Sequence, residues 1–538
     1  MVYSGCSFLF SLFFGFPLWY GLVYLGVISH SEFVWWFGVW EVFENSVVRE
    51  LVEAYRPVWS VSHALSLMGW DSETYMPKGG VGERALARAD LFVLRRRLLL
   101  REELLRLLER AESQEGLNEY EAGVVRVLKR EVRIARSLPE EFVFEFAKLR
   151  EEATHAWRTA RERDDFGLFK PYLERIVEYA RRMADYLGWE GHPYNALLDL
   201  HEEGLTVGDV DRIFDSIVPT LRRALDRVLS TGSYPRSHSL ESVEYEQGVM
   251  EAVNREVLDL LGFPWDRGRL DVSPHPFTIS MGIGDVRITT RYEGRDFRHT
   301  LFAVIHEFGH ALYELQIDER LKASPLAEGA SLGVHESQSR FWENVVARSR
   351  SFIPLVTPIL RKRLPFLKDY SDDDVYLYFN IVRPGLIRVE ADELTYNFHI
   401  YLRYTLEKGL IEGSIKVDDL PELWNSMMED LLGVRPKSYR DGVLQDIHWS
   451  HGSIGYFPTY TLGTVLSAQI KAAIDGSLGG LYRLVENGEL DRVRTFLREN
   501  IHRYGSTYAP KELVERGLGE PLNPEYYNQY ITEKFYRG

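Results

Sequence analysis

The chain has 538 residues, 45% of them hydrophobic, enough to bury one large core or two to three ordinary ones and too apolar for a disordered protein. Its 64 basic residues are outnumbered by 80 acidic ones, a net charge of -16 that argues against an extended nucleic-acid interface. Cys6 is the only cysteine, which removes disulfide frameworks, cysteine metal sites and, outside the first residues, thiol catalysis.

Residues 1–31 contain no Lys, Arg, Asp or Glu, and Phe8 to Ile28 is long and apolar enough to cross a bilayer as a helix. The first basic residue is Arg49, so neither a secretory signal nor a positive-inside anchor is well formed. Residues 1–46 read as an apolar leader: sequence upstream of a wrongly chosen start, a membrane anchor through residues 8–28, or an added packing element. The expected location is cytoplasmic, or membrane-anchored if the leader is real. From Val47 the pattern becomes helical, with Val48, Leu51, Val52 and Tyr55 on one face. The segments 119–137, 139–163 and 169–187 continue it, punctuated near Pro139, Gly167 and Gly188. Arg95, Arg96 and Arg97 fall within a helical run and read as a solvated face.

One strand stands out at Val286 to Tyr292, where Val286, Ile288, Thr290 and Tyr292 alternate with polar residues. A helix follows, marked by Leu301, Ile305, Phe308, Leu312 and Leu315. It carries His306-Glu307-Phe308-Gly309-His310, in which two imidazoles four residues apart share a face and can bind one metal ion, with Glu307 beside the open position. Gln316 stands where a third histidine would complete one ligand pattern. The other pattern uses a carboxylate from a following helix, and Glu336 is the expected third ligand, with Glu314 and Glu328 as alternatives. His335, next to that ligand, is expected to support the site from outside the metal's own shell. Gly309 implies close packing against substrate or another helix. Gly329-Ala330-Ser331-Leu332-Gly333 matches a serine-nucleophile elbow, but no strand pattern precedes it, and it is rejected.

Further stretches join this motif: His275-Pro276-Phe277, Asp285 to Thr289, His335 to Gln338, Ile387 to Asp392 and Gly442 to Trp449. Together and in this order they resemble the carboxypeptidase Taq family of HExxH metallocarboxypeptidases, over about Val48 to the end. The resemblance implies a mainly α fold with a long active-site groove and a small β-sheet beside the HExxH helix, so that residues 47–538 form one catalytic domain. It also implies a thermostable homodimer that removes single C-terminal residues from peptides with broad specificity, sparing C-terminal proline. The implied cofactor is one zinc ion per chain, replaceable by cobalt.

On that reading His306, His310 and Glu336 hold the metal and Glu307 is the general base. His448, with Tyr456 as a weaker choice, donates to the oxyanion. Arg388 grips the substrate's C-terminal carboxylate, unless it merely pairs with Glu390 or Asp392. The edge of the strand around Arg287 is expected to bind extended substrate, with an ion pair to Asp285 as the alternative for that arginine. An endopeptidase or dipeptidyl carboxypeptidase with the same centre, and an inactive metal-binding scaffold, are the competing functions.

Overall fold

The computed structural model describes residues 42–536, so the apolar stretch 8–28 lies outside the described residues. No helix among the described residues is long and apolar enough to cross a membrane. Helices dominate, beginning with α1 (Ser46–Glu73), whose Asn45 side chain caps the backbone N–H groups of Val47 and Val48. Val42 and Phe43, just ahead of it, are buried in a smaller apolar core with Leu51, Val58, Leu104 and Leu128. The helices Glu119–Ser137, Glu140–Arg163 and Phe166–Leu187 fall where the periodicity places them. Arg95 departs from expectation. It turns inward, donating to Ser62 Oγ at 2.8 Å and pairing with Glu131 at 3.2 Å, because its helix packs along α1 instead of facing solvent on that side.

The sheet has three strands, β1 (Gly268–Val272), β2 (Thr278–Gly282) and β3 (Asp285–Thr290). Their order is β1-β3-β2, with β3 parallel to β1 and antiparallel to β2. This overturns the expectation of a substrate-binding edge on the Arg287 strand, since β3 is central and both its edges are paired. Period-two alternation reports which faces a strand buries, not which edges it leaves free. The free edge beside the site belongs to β2. Phe277 O accepts from Thr289 N, so by alternation the main-chain groups of Thr278 and Ser280 point away from β3.

The next helix, α2 (Arg298–Leu315), packs on β2 and β3. It is apolar nearly all round, and past its first turn only Ala303, His306 and His310 are not fully buried, so the two histidines share its one open stripe. Against it lies α3 (Leu332–Arg340), which passes directly into a π-helical turn, Phe341–Ala347. Two glycines permit the packing. A Cβ on Gly309 would sit 2.5 Å from Gln338 O, and one on Gly463 would sit 2.6 Å from Glu336 Cβ. The helix carrying Glu336 is thus clamped between α2 and a later helix bearing Gly463 (Pro458–Leu478).

Candidate metal centre

One donor atom from each of His306, His310 and Glu336 converges within 4.8 Å of the others. His310 Nε2 and His306 Nε2 lie 3.4 and 3.7 Å from Glu336 Oε2. Donors about 2.0–2.1 Å from one tetrahedral ion are roughly 3.3–3.5 Å apart, so the spacing fits a single divalent metal. Glu314 and Glu328 are not in this cluster.

The far side of each of these three side chains is held. His306 Nδ1 is 3.0 Å from Glu343 Oε2, an acceptor that fixes the proton on Nδ1 and leaves the Nε2 lone pair toward the cluster. His310 is held by a relay in which Glu314 Oε1 lies 2.7 Å from His335 Nε2 and His335 Nδ1 lies 2.8 Å from His310 Nδ1. With the His335 proton on Nε2, its Nδ1 accepts from His310, again freeing Nε2. Arg340 Nε donates to Glu336 Oε1 at 2.7 Å and leaves Oε2 for the cluster. Burial would raise the Glu336 carboxyl, but Arg340, His306 and His310 outweigh it and hold it well below the usual range. Burial also pushes His310 down to about 4, which keeps a ligand-competent neutral imidazole at neutral pH.

Glu307 is buried, and its Oε2 accepts from Thr278 Oγ1 at 2.6 Å. Burial raises its pKa, against the opposing pull of His306 and of that hydrogen bond. The sequence reading named neither Thr278 nor Glu343. Thr278 directly follows the His275-Pro276-Phe277 stretch, a signal that could have pointed to it. Glu343 sits in the π turn, which the residue pattern does not announce.

The other expected residues make no hydrogen bond or ion pair to the triad among the described residues. Arg388 pairs with neither Glu390 nor Asp392 but with Asp446, at 2.9 Å, and donates through Nη1 to Tyr396 Oη at 3.1 Å. Arg403 takes the other oxygen of Asp446, with Nε at 2.7 Å. Both arginines are buried, so two guanidiniums share one carboxylate and one positive charge is left over. The His448 ring lies 4.6 Å from Phe457 and 5.6 Å from Tyr456, and burial lowers its pKa to about 4, leaving a neutral imidazole with one N–H. Tyr456 feels Glu336 electrostatically, which with burial raises its pKa. Arg287 forms a two-pronged pair with Asp285 at 2.8 Å and lies 4.4 Å over the Trp70 ring, the ion-pair alternative for that residue. Ser331 caps α3 by accepting from Val334 N, with no strand before it, so no nucleophile elbow exists.

The family described as Carboxypeptidase Taq (M32) metallopeptidase matches residues 50–535. The chain is 52% identical over 496 residues to thermostable carboxypeptidase 1 of Pyrococcus furiosus, covering 92% of this chain and 99% of that one. It is 38% identical over 507 residues to thermostable carboxypeptidase 1 of Thermus thermophilus, covering 91% and 98% respectively. A solved carboxypeptidase structure from Pyrococcus furiosus superposes with a TM-score of 0.91 at 52% identity, covering 92% of this chain and 100% of that one. A metal-fitting triad on α2 and α3 thus lies within a stretch, residues 50–535, that matches this family model, and the protein belongs to the Carboxypeptidase Taq (M32) metallopeptidase family.

Proposed function

We propose that the protein is a metal-dependent carboxypeptidase that removes single C-terminal residues from peptides, with His306, His310 and Glu336 as metal ligands and Glu307 as general base. The observation that carries this reading is the convergence of three donor atoms beside a buried carboxylate that none of them uses. A structural metal site has no need of such a base. A metal held by His306, His310 and Glu336, zinc in our reading and replaceable by cobalt, would supply Lewis acidity there. Glu307, steadied through Oε2 by Thr278, accepts the proton of the attacking water and returns it to the leaving amine as the C–N bond breaks. The N–H of His448 and the hydroxyl of Tyr456 are the donors for the developing oxyanion. The outward main-chain groups of Thr278 and Ser280 hold the peptide in extended form.

Exopeptidase action needs a cation for the terminal carboxylate, and the uncancelled charge of the Arg388, Arg403 and Asp446 cluster supports Arg388 in that role. Arg388→Ala should lose roughly 10- to 150-fold in kcat/KM on free-acid peptides with metal content unchanged. Amidating the substrate's C-terminus should cost wild type a similar factor and the variant little more, because both changes delete one contact. Additive losses would remove Arg388 from that role, and equal turnover of acid and amide by wild type would favour an endopeptidase. The ligand assignment is checked by metal stoichiometry after dialysis. Glu336→Ala should lose the ion outright, whereas Glu314→Ala, which only loosens the His335 relay, should weaken affinity by about 10–100-fold. Equal retention by both variants would displace Glu336.

A further inference from the structure

Behind His310, on the side of His335 and Glu314, lies a cavity of about 560 Å³, walled by α1, the helix Glu119–Ser137, the β2 edge at Ser280 and the turn before α3. His335 and Glu314, which steady His310 from its side away from the triad, form part of its wall, and Ser280 in that wall is two residues along β2 from Thr278, which bonds Glu307. Nearly every charged side chain around it is spent. Glu131 is paired with Arg95 at 3.2 Å, Glu203 with Arg126, Arg130 with Asp199 at 2.6 Å, and Glu314 with His335 at 2.7 Å.

Glu328 is the exception. Its carboxyl lies open to the cavity and has no hydrogen-bond or ion-pair partner among the described residues. The residue is exposed, and the acidic neighbours Glu131 and Glu314 push its pKa up. Water meets this charge in the open cavity, and a cationic group of a substrate would complement it there. Trp59, another residue of the cavity lining, offers an apolar face and a π surface for a cationic side chain.

The direction of the substrate follows from the carboxypeptidase reading above, on which this inference rests. The arginine cluster that would take the C-terminal carboxylate does not line this cavity. The β2 edge instead leads from Thr278, beside Glu307, to Ser280 on the cavity wall, so the chain on the acyl side of the scissile bond runs into it. We propose that Glu328 is a specificity-determining residue that receives an ammonium or guanidinium group on the acyl side of the scissile bond, either a Lys or Arg side chain or the free α-ammonium of a short peptide.

The test compares ratios within one protein, which cancel any change in folding or metal content. Wild type should cleave N-acetyl-lysyl-phenylalanine about tenfold or more faster, in kcat/KM, than its norleucyl counterpart if the cation is a side chain. If it is the terminus, wild type should instead prefer alanyl-alanyl-phenylalanine over the N-acetylated form by a similar factor. In Glu328→Gln the preference should fall to near unity. Calorimetric binding of N-acetyl-lysine methylamide and of alaninamide, each against its uncharged analogue, asks the same question without turnover. A wild type indifferent to charge in both pairs, or a preference that survives Glu328→Gln, overturns the proposal. Failure to cleave any free-acid peptide would refute the carboxypeptidase reading instead, and the binding comparison would still decide for or against Glu328.

Discussion

Replacing Glu307 with Gln is expected to lower kcat by about 10²–10⁴ while one metal ion per chain is retained. The amide has the same shape, and its carbonyl can still accept the hydrogen bond from Thr278 Oγ1, so the ligand helices keep their packing. What it cannot do is take a proton from water. The stability change should run the other way. Burial raises the Glu307 pKa, so the charged form opposes folding above the unfolded value, and a neutral isostere removes that cost. Melting temperature should therefore stay level or rise as activity collapses, a trade expected where a catalytic group is kept against its preference for water. Turnover within tenfold of wild type at full metal loading would end the general-base assignment.

Asp446→Asn is expected to destabilise the protein by about 3–5 kcal/mol, the usual cost of removing one partner from a buried ion pair. Asp446 holds Arg388 through one oxygen and Arg403 through the other, and Arg403 is wholly buried. Asparagine keeps one acceptor but no charge, so two guanidiniums would face each other uncompensated. Burial would raise the Asp446 carboxyl, but Arg403 and Arg388 overcome this and hold it well below the usual carboxylate range. Its folded pKa is thus depressed. The stabilisation is present above the unfolded value near 3.9 and is lost as pH falls through the folded one. The variant should unfold at lower denaturant concentration, with the deficit narrowing toward acid pH. A midpoint unchanged at pH 7 would mean that water or another anion already shares the load.

The helices and the facing pair of histidines were legible because both depend on local spacing. His306 and His310 lie one turn apart, and Glu336 opens the next apolar helical run. Contacts between distant segments were not. Thr278 meets Glu307 across 29 residues and Arg388 meets Asp446 across 58, and no periodicity links such positions. Asp446 and Arg388 both stand inside stretches that carried the family resemblance, yet their pairing, and Arg403's part in it, appear only in the fold. Glu343 reaches His306 through the π turn, which adds a residue to the helical repeat without a marker in the sequence. Arg95 shows the opposite error, since a run of arginines looks solvated until a neighbouring helix covers one of its sides.

The free edge of β2 carries a hazard as well as a use. Any unpaired strand edge can recruit another chain, and a long flat one seeds self-association. Here the register breaks between Ser280 and Gly282, and the Met281 carbonyl is already taken by His63 Nδ1 at 2.6 Å. Only Thr278 and Ser280 offer outward main-chain groups, and α1 stands alongside the strand. Two residues suffice to align a flexible peptide tail but give a folded neighbour too short a template to add a strand of its own. The break that confines the edge to the mouth of the cleft is also what lets it stay uncovered.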